Sequence, residues 1–459
     1  MVFRAAGLVG CGSRSFAVRW LWTSGRPASP GRPWPLIEIC ESSLAKELPA
    51  GSSEVTWIWV LREDGLVQVW IGVDAGKQAH HAAAVDVAGR VLWSTRVAND
   101  QQAIADLIGR VGADDEVVWA VDLVGCETAL LRAMLALAGQ QTVYIPGRTV
   151  KTMAAGFAGE AKTDARDAVV IANTARMRRD FLPVETPTEL IAKLALLVAH
   201  RADLVEDWVR TVNRLRRLML GISPVLERAL TFTNVATLIL ISAYQTPEQI
   251  RAAGRDQLIA HLRRHRAVNA VRVADQALAA AAEQDLTLPG QDTAAALAGE
   301  LASHLLHLHQ RMKNTDKAIE QAFGTHPQAG IIRSLPGMGA LAAAEFIVAV
   351  GDLSTFASPD HLAAYAGLAP VARDSGKRVA NLRRPQRYNR RLRHVFYMSS
   401  LSTLRMNGPN RDYYQRKRAE GRKHQQALIA LARRRVDVLW ALLRDNRCFQ
   451  LQPPPPAPV

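Results

Sequence analysis

Four aspartates, Asp74, Asp122, Asp164 and Asp167, are the residues of this 459-residue chain whose types and spacing suit chemistry on phosphodiesters. Asp74 closes an apolar run, Asp122 lies in a second one, and Asp164 and Asp167 stand three apart in Lys162-Thr163-Asp164-Ala165-Arg166-Asp167. On a helix that spacing puts both carboxylates on one face. Four carboxylates in one pocket repel one another unless hard cations such as Mg²⁺ (or Mn²⁺) lie between them. Two such ions stabilise the attacking and leaving oxygens of a phosphoryl transfer. Taken singly, each acid has a simpler role, as a turn former for Asp74 and Asp122 and as an N-cap or first-turn acid for Asp164 and Asp167. Asp86 also sits in a strand, but mid-hairpin and without a partner acid.

The elements that must position these acids are legible from periodicity. Residues 67–74, 81–87 and 91–97 read as three antiparallel strands, with Gly89-Arg90 turning the second hairpin. Ile104, Leu107 and Ile108 give 102–111 helical spacing; a strand at 116–124, a helix at 127–138 and a strand at 142–145 follow. Three strands and then alternating helix and strand is ribonuclease H order. In that fold the first and fourth strands are neighbours, so Asp74 and Asp122 meet at one edge and a helix after the fifth strand brings the other two acids.

The charge points to the same substrate class. The net charge is +15, and residues 373–423 hold sixteen Lys or Arg against three acids, Asp374, Asp412 and Glu420. Such a run suits a phosphate-rich partner, because neutralising phosphates releases counterions. Arg383, Arg384, Arg387, Arg390, Arg391 and Arg393 surround Tyr388, a pattern for clamping phosphate and stacking on a base or sugar. Arg373, Lys377 and Arg378 flank Ser375. Upstream, Ser334-Leu335-Pro336-Gly337-Met338-Gly339 before an apolar helix resembles the hairpin of helix-hairpin-helix modules, in which Gly337 and Gly339 would let backbone N–H groups approach a phosphate; a plain tight turn is the simpler account.

Between these regions, Leu190, Leu194, Leu197, Leu204, Trp208, Val212, Leu215 and Met219 mark one long amphipathic helix, and Leu301, Leu305, Leu308, Met312 and Ile319 mark another. The two are expected to pair as a coiled coil, within or between subunits. His304, His307 and His309 lack an acid or Cys at ligand spacing. Arg263-Arg264-His265-Arg266 is a candidate contact for a nucleic-acid backbone. Cys11, Cys40, Cys126 and Cys448 form no CxxC pair, as expected of a reduced cytosolic protein, and no run of eighteen apolar residues occurs. Residues 1–66 mix Trp, Pro, Gly and Ser without periodicity and read as a disordered or translated upstream leader, with a start near Val60, Val67 or Val69; 453–459 is a proline-rich tail.

Trp70-Ile71-Gly72-Val73-Asp74, Val121-Asp122-Leu123-Val124-Gly125, Tyr144-Ile145-Pro146-Gly147-Arg148 and Lys162-Thr163-Asp164-Ala165-Arg166-Asp167-Ala168 resemble the RuvC-like domain of DEDD-type transposases. This is the insertion sequence one-ten family, related to the Piv invertase. The likeness continues through Ala364-Tyr365-Ala366-Gly367-Leu368-Ala369-Pro370, Ser375-Gly376-Lys377 and Arg391-Leu392-Arg393 and covers roughly residues 67–445. It implies an α/β multidomain protein: a RuvC-like mixed sheet at 67–183, a helical coiled-coil connector at 184–325, a mostly helical DNA-joining domain at 326–445 and a tail at 446–459. It further implies Mg²⁺ on Asp74, Asp122, Asp164 and Asp167, a nucleophilic serine at Ser375, homo-oligomers on DNA, a structured guide RNA from the element and a bacterial cytoplasm. The family's second acid is usually Glu; Asp122 is one methylene shorter. Two other readings of the same residues are a Holliday-junction-resolvase-like metal nuclease with a structural Ser375, and a nucleic-acid-binding relic without turnover.

Overall fold

A computed structural model describes residues 2–7, 18–23, 68–111, 116–123, 125–157, 163–178, 180–181, 183–184, 187–375 and 381–451. The chain divides into two compact units, Met1–Thr186 and Pro187–Val459.

In the first unit, β1 (Val2–Gly7) and β2 (Val18–Thr23) form an antiparallel pair, which corrects the expectation of a leader without regular structure for those residues. The rest of that leader, and the tail from 452 onward, lie outside the described residues. A five-stranded sheet follows, built from β3 (Gln68–Asp74), β4 (Ala79–Val85), β5 (Val91–Ala98), β6 (Glu116–Val121) and β7 (Gln141–Tyr144), in the order β5-β4-β3-β6-β7. The first three strands are antiparallel, and β3, β6 and β7 run parallel. This mixed sheet is compatible with the expected ribonuclease H-like domain.

Both faces of β3 are covered, which explains its unbroken apolar run. Val69, Ile71 and Val73 join Trp119 and Val121 beneath Ile104 and Leu107 of α1 (Gln101–Ile108) and Leu131 and Leu135 of α2 (Ala129–Leu137). On the other face Trp70 and Ala120 meet Val150 of α3 (Gly147–Ala154) and Val170, Ile171 and Ala172 of α4 (Asp164–Met177). Asp86 is buried and accepts hydrogen bonds from the Arg90 backbone N–H and Nε, both at 2.8 Å, so it shapes the β4–β5 turn.

The second unit is helical. It contains α5 (Glu189–Ile222), α6 (Pro224–Ala229), α7 (Val235–Ala243), α8 (Pro247–Arg264), α9 (Ala270–Ala281), α10 (Gln291–Gly324), α11 (Ala329–Ser334), α12 (Ala340–Val350) and α13 (Pro359–Tyr365). A short pair, β8 (Val371–Ala372) and β9 (Leu382–Arg383), precedes α14 (Arg390–Thr403), α15 (Pro409–Ala419) and α16 (His424–Arg444). The two long helices, α5 and α10, pair within one chain: Arg201 Nε reaches Asp316 at 2.6 Å, and Trp208 packs on His309 with ring centroids 5.9 Å apart. They serve two cores. Leu204 to Ile222 and Ala295 to Leu308 pack with α6–α9, while Leu194, Val198, Ile319 and Phe323 pack with α11–α14 and α16. No helix among the described residues is long and apolar enough to cross a membrane.

Candidate active site

Register fixes the first two aspartates. Val73 pairs with Val121 in the parallel β3–β6 ladder, so Asp74 and Asp122 leave adjacent strands side by side at their carboxyl ends. Asp122 falls one residue beyond the strand, not within it as the periodicity suggested. Its carboxylate accepts a hydrogen bond from the Ala75 backbone, but Oδ1 is buried with no hydrogen-bond partner among the described residues. Burial pushes the Asp122 carboxyl above its ordinary range, and the charge of Asp167 pushes in the same direction. The pocket therefore holds a poorly solvated anion facing another anion.

Asp167 reaches Asp122 because α4 lies unusually close to β3. A Cβ on Gly72 would come within 2.2 Å of the Ala168 carbonyl oxygen and 2.3 Å of the Ala172 nitrogen, so only glycine admits the helix there. Thr163, not Asp164, is the N-cap, its hydroxyl accepting from the Arg166 N–H at 3.2 Å. Arg166 donates to the carbonyls of Ala154 and Phe157, fixing the start of α4 against the end of α3. Asp164 and Asp167 both occupy the first turn, where the helix dipole favours negative charge; Asp164 is exposed and Asp167 half-buried. Among the described residues no three His, Cys, Asp or Glu side chains are gathered into a ready-made metal cage. What converges is Asp74 and Asp122 through the sheet, and Asp167 onto Asp122 through α4.

Around this edge Asn99 acts as a strap, its side-chain amide donating to the Lys77 carbonyl at 3.2 Å and the Glu127 carbonyl at 3.1 Å. Glu127 lies in a 3-10 turn, Cys126–Thr128, and not on the strand. Beside Asn99 lies His80, fully buried; burial holds its imidazole below the usual histidine range, with Asn99 opposing.

In the second unit Ser375 is exposed, on the β8 side of the short hairpin. The described part of this hairpin is tied by the Arg373 N–H to the Asn381 carbonyl at 2.9 Å and the Asn381 N–H to Asp374 Oδ1 at 2.8 Å. Gly376, Lys377 and Arg378 lie outside the described residues. Arg383, Arg384 and Arg387 are exposed, as a backbone-gripping role requires. Arg393 is engaged differently: its guanidinium donates to the Gly367 carbonyl at 2.8 Å and lies 4.8 Å over the Tyr388 ring. Gly367, at φ +67, touches that ring so closely that a Cβ would come within 2.3 Å of it. Tyr388 and Arg393 thus clamp the turn at Gly367-Leu368-Ala369-Pro370. Arg391 faces the half-buried Glu345, whose carboxyl burial raises while Arg391, His394 and Arg201 oppose.

Both glycines of the expected hairpin are exposed. Gly337, at φ +81, packs on α14, where a Cβ would come within 2.5 Å of the Ser399 carbonyl, and Gly339 stands at the uncapped start of α12. The turn is anchored by Arg435, buried in α16, which donates to the Pro336 carbonyl and the Ser399 hydroxyl. Burial lowers the Arg435 guanidinium to about 10, and its Nε and Nη1 have no partner among the described residues. Sequence reasoning missed Gly72, Thr163, Asn99, Glu345 and Arg435. Only Gly72 and Thr163 left a local signal, a glycine inside a strand and a threonine before an acidic first turn.

Comparison with known proteins gives this geometry a family. Residues 71–224 match a family model described as a transposase, and residues 329–415 match one described as the transposase IS116/IS110/IS902 family. The chain is 50% identical over 388 residues to an insertion element IS116 protein of Streptomyces clavuligerus, covering 84% of this chain and 97% of that one. An insertion element IS900 protein of Mycobacterium paratuberculosis is 46% identical over 386 residues, 83% of this chain and 97% of the relative. The pilin gene-inverting protein of Moraxella bovis is 28% identical over 152 residues, 32% of this chain and 47% of that one. These matches show that the chain belongs to the IS116/IS110/IS902 family of transposases, enzymes that cleave and recombine DNA.

Proposed function

We propose that this transposase exchanges DNA strands by transesterification, with Asp74, Asp122, Asp164 and Asp167 as a divalent-metal site and Ser375 as nucleophile. The orphaned Asp122 Oδ1, buried beside a second carboxylate, carries the metal assignment, because a hard cation is the partner that such an oxygen lacks. Mg²⁺ bound there would supply charge stabilisation to the attacking and leaving oxygens. Of the chain's own groups, the Ala75 N–H orients Asp122, the Gly72 contact holds Asp167 in range, and the exposed Arg383, Arg384 and Arg387 grip the backbone. Ser375 Oγ attacks phosphorus as the P–O bond to one DNA strand breaks, and the proton lost by the serine is balanced by the one the departing oxygen takes up to leave as a free hydroxyl. A hydroxyl of a second strand then attacks the phosphoserine and returns the serine hydroxyl. Each step exchanges one phosphodiester for another, so no ATP is consumed. The regional roles follow: a RuvC-like domain at 67–183, a connector at 184–325 and a joining domain at 326–445, working as a homo-oligomer with a structured guide RNA.

The test incubates the full chain with Mg²⁺, RNA transcribed from the element's flank, and labelled donor and target DNA. Wild type is expected to give a denaturation-resistant protein–DNA adduct that disappears in Ser375→Ala and in Asp122→Asn. Nicked DNA that persists in Ser375→Ala would replace this reading with the resolvase one. Binding without turnover on any substrate would replace it with the relic.

A further inference from the structure

We propose that the turn joining α8 to α9 is a second grip for double-stranded DNA, built on a different core from the arginine-rich hairpin. Arg263, Arg264, His265, Arg266 and Arg272 are all exposed there, around an open cleft of about 660 Å³ that Arg263, Asn269, Arg272 and Gln276 help to line. Among the described residues no acid forms an ion pair with any of these four arginines. Asp275, at the cleft, is held by Arg255 at 2.7 Å. Net positive charge is left facing solvent without an internal counterion, the condition under which phosphate is the effective partner.

The backbone shows that the arginines are not incidental to the turn. Helix α8 ends with the Ala267 N–H on the Leu262 carbonyl and the Arg266 N–H on the Arg263 carbonyl, each at 2.9 Å. This termination places Arg266 in the left-handed region, at φ 54, a position that glycine fills without strain. The chain carries an exposed arginine at this strained position, at the same helix end as the exposed Arg263 and Arg264. Asn269, at φ 61, then starts α9 with no side-chain cap and no acid in its first turn. The positive end of α9 offsets the negative end of α8 at this turn, so the arginine charges themselves set the field.

The chemistry favours duplex over single strand. Single strands are held by aromatic platforms as well as charge. At this turn the His261 and His265 rings meet at a tilt with centroids 4.8 Å apart and Tyr244 packs edge-on against His261 at 5.5 Å, so these rings are already partnered. Arginines without stacking partners grip a backbone whose bases are turned inward. The turn belongs to the core formed by Leu258, Leu262, Ala270 and Val273, so substitutions at its exposed residues leave the core that supports α14 intact.

The full-length chain would be titrated into a fluorescent 30-bp duplex over a series of salt concentrations without divalent metal, so the outcome is independent of strand-joining chemistry. Combined Arg264→Gln, Arg266→Gly and Arg272→Gln are expected to weaken binding on the order of a hundredfold near 0.15 M salt and to flatten the log–log salt slope by roughly 2–3. Arg266→Gly alone should weaken binding about fivefold while leaving the melting temperature unchanged or higher. An unchanged slope in the triple variant overturns the proposal. So does a loss confined to a structured RNA hairpin, which would make this an RNA surface.

Discussion

The aspartate edge and the Ser375 hairpin are held by opposite means. Asp74 and Asp122 hang from neighbouring strands buried on both faces, and Asp167 arrives on a helix pressed against one of them by the absence of a single Cβ. Ser375 lies exposed just beyond a pair of two-residue strands, secured by a few hydrogen bonds and by the Tyr388–Arg393 clamp at its base. One site is placed by the packing of a whole domain and the other by its anchors. In the proposed reaction the carboxylate cluster needs fixed spacing against repulsion, whereas an attacking Ser375 needs access to a large substrate.

Substitutions that break this contrast should rank by how much packing each residue carries. Gly72→Ala is expected to be the most damaging, because its methyl meets helix backbone on α4; a loss of about 3 kcal/mol or more in denaturant unfolding of the first unit checks it. Gly367→Ala should lose about 2–3 kcal/mol, from left-handed strain and displacement of Tyr388, read by thermal melting together with weaker DNA joining. Asp122→Asn reverses the sign: strand joining falls on the order of 10²–10³-fold, yet removing a poorly solvated charge raises stability by ~1 kcal/mol, or about 2–4 °C, in metal-free buffer. Added Mg²⁺ should raise the melting temperature of wild type and leave that of Asp122→Asn unmoved.

His80 makes a smaller, pH-dependent contribution. Its folded-state value lies below the ordinary 6.5, so on acidification the unfolded chain takes the proton first. Stability of the first unit should therefore be intact above about pH 6.5 and decline below it, and His80→Leu should flatten that decline in melts from pH 7.5 to 5. Ser375→Ala should change stability least, by under about 0.5 kcal/mol, while abolishing the adduct. A large stability loss in Ser375→Ala would erase the contrast.

Legibility from sequence follows the same division. Strand order and the placement of Asp74 and Asp122 were readable because an apolar run ending in an acid depends only on local pattern and register. The N-terminal position of Asp164 and Asp167 on α4 was equally local. What periodicity could not supply were contacts that join distant segments: Asn99 to Glu127, Arg393 to Gly367, Arg435 to Pro336. Arg393 read as a phosphate-clamping cation of the Arg391-Leu392-Arg393 motif, and its hold on the Gly367 carbonyl, 26 residues away, depends on the turn between them. The packing of Gly337 on α14 is another such contact, out of reach of local pattern.

Helices α5 and α10, each of 34 residues and so about 50 Å long, have a consequence for how the second unit responds to load. The helical bundle and the core that carries α14 do not meet through a linker, because Val198 and Leu204 on α5, and Ile319 and Leu308 on α10, belong to different cores of the same two rods. Neither core can melt without stripping half of each rod, so the unit should unfold in one transition. A pull on the bundle travels along unbroken helix to the core that carries α14, which makes this pair a stiff transmission shaft and not a tether.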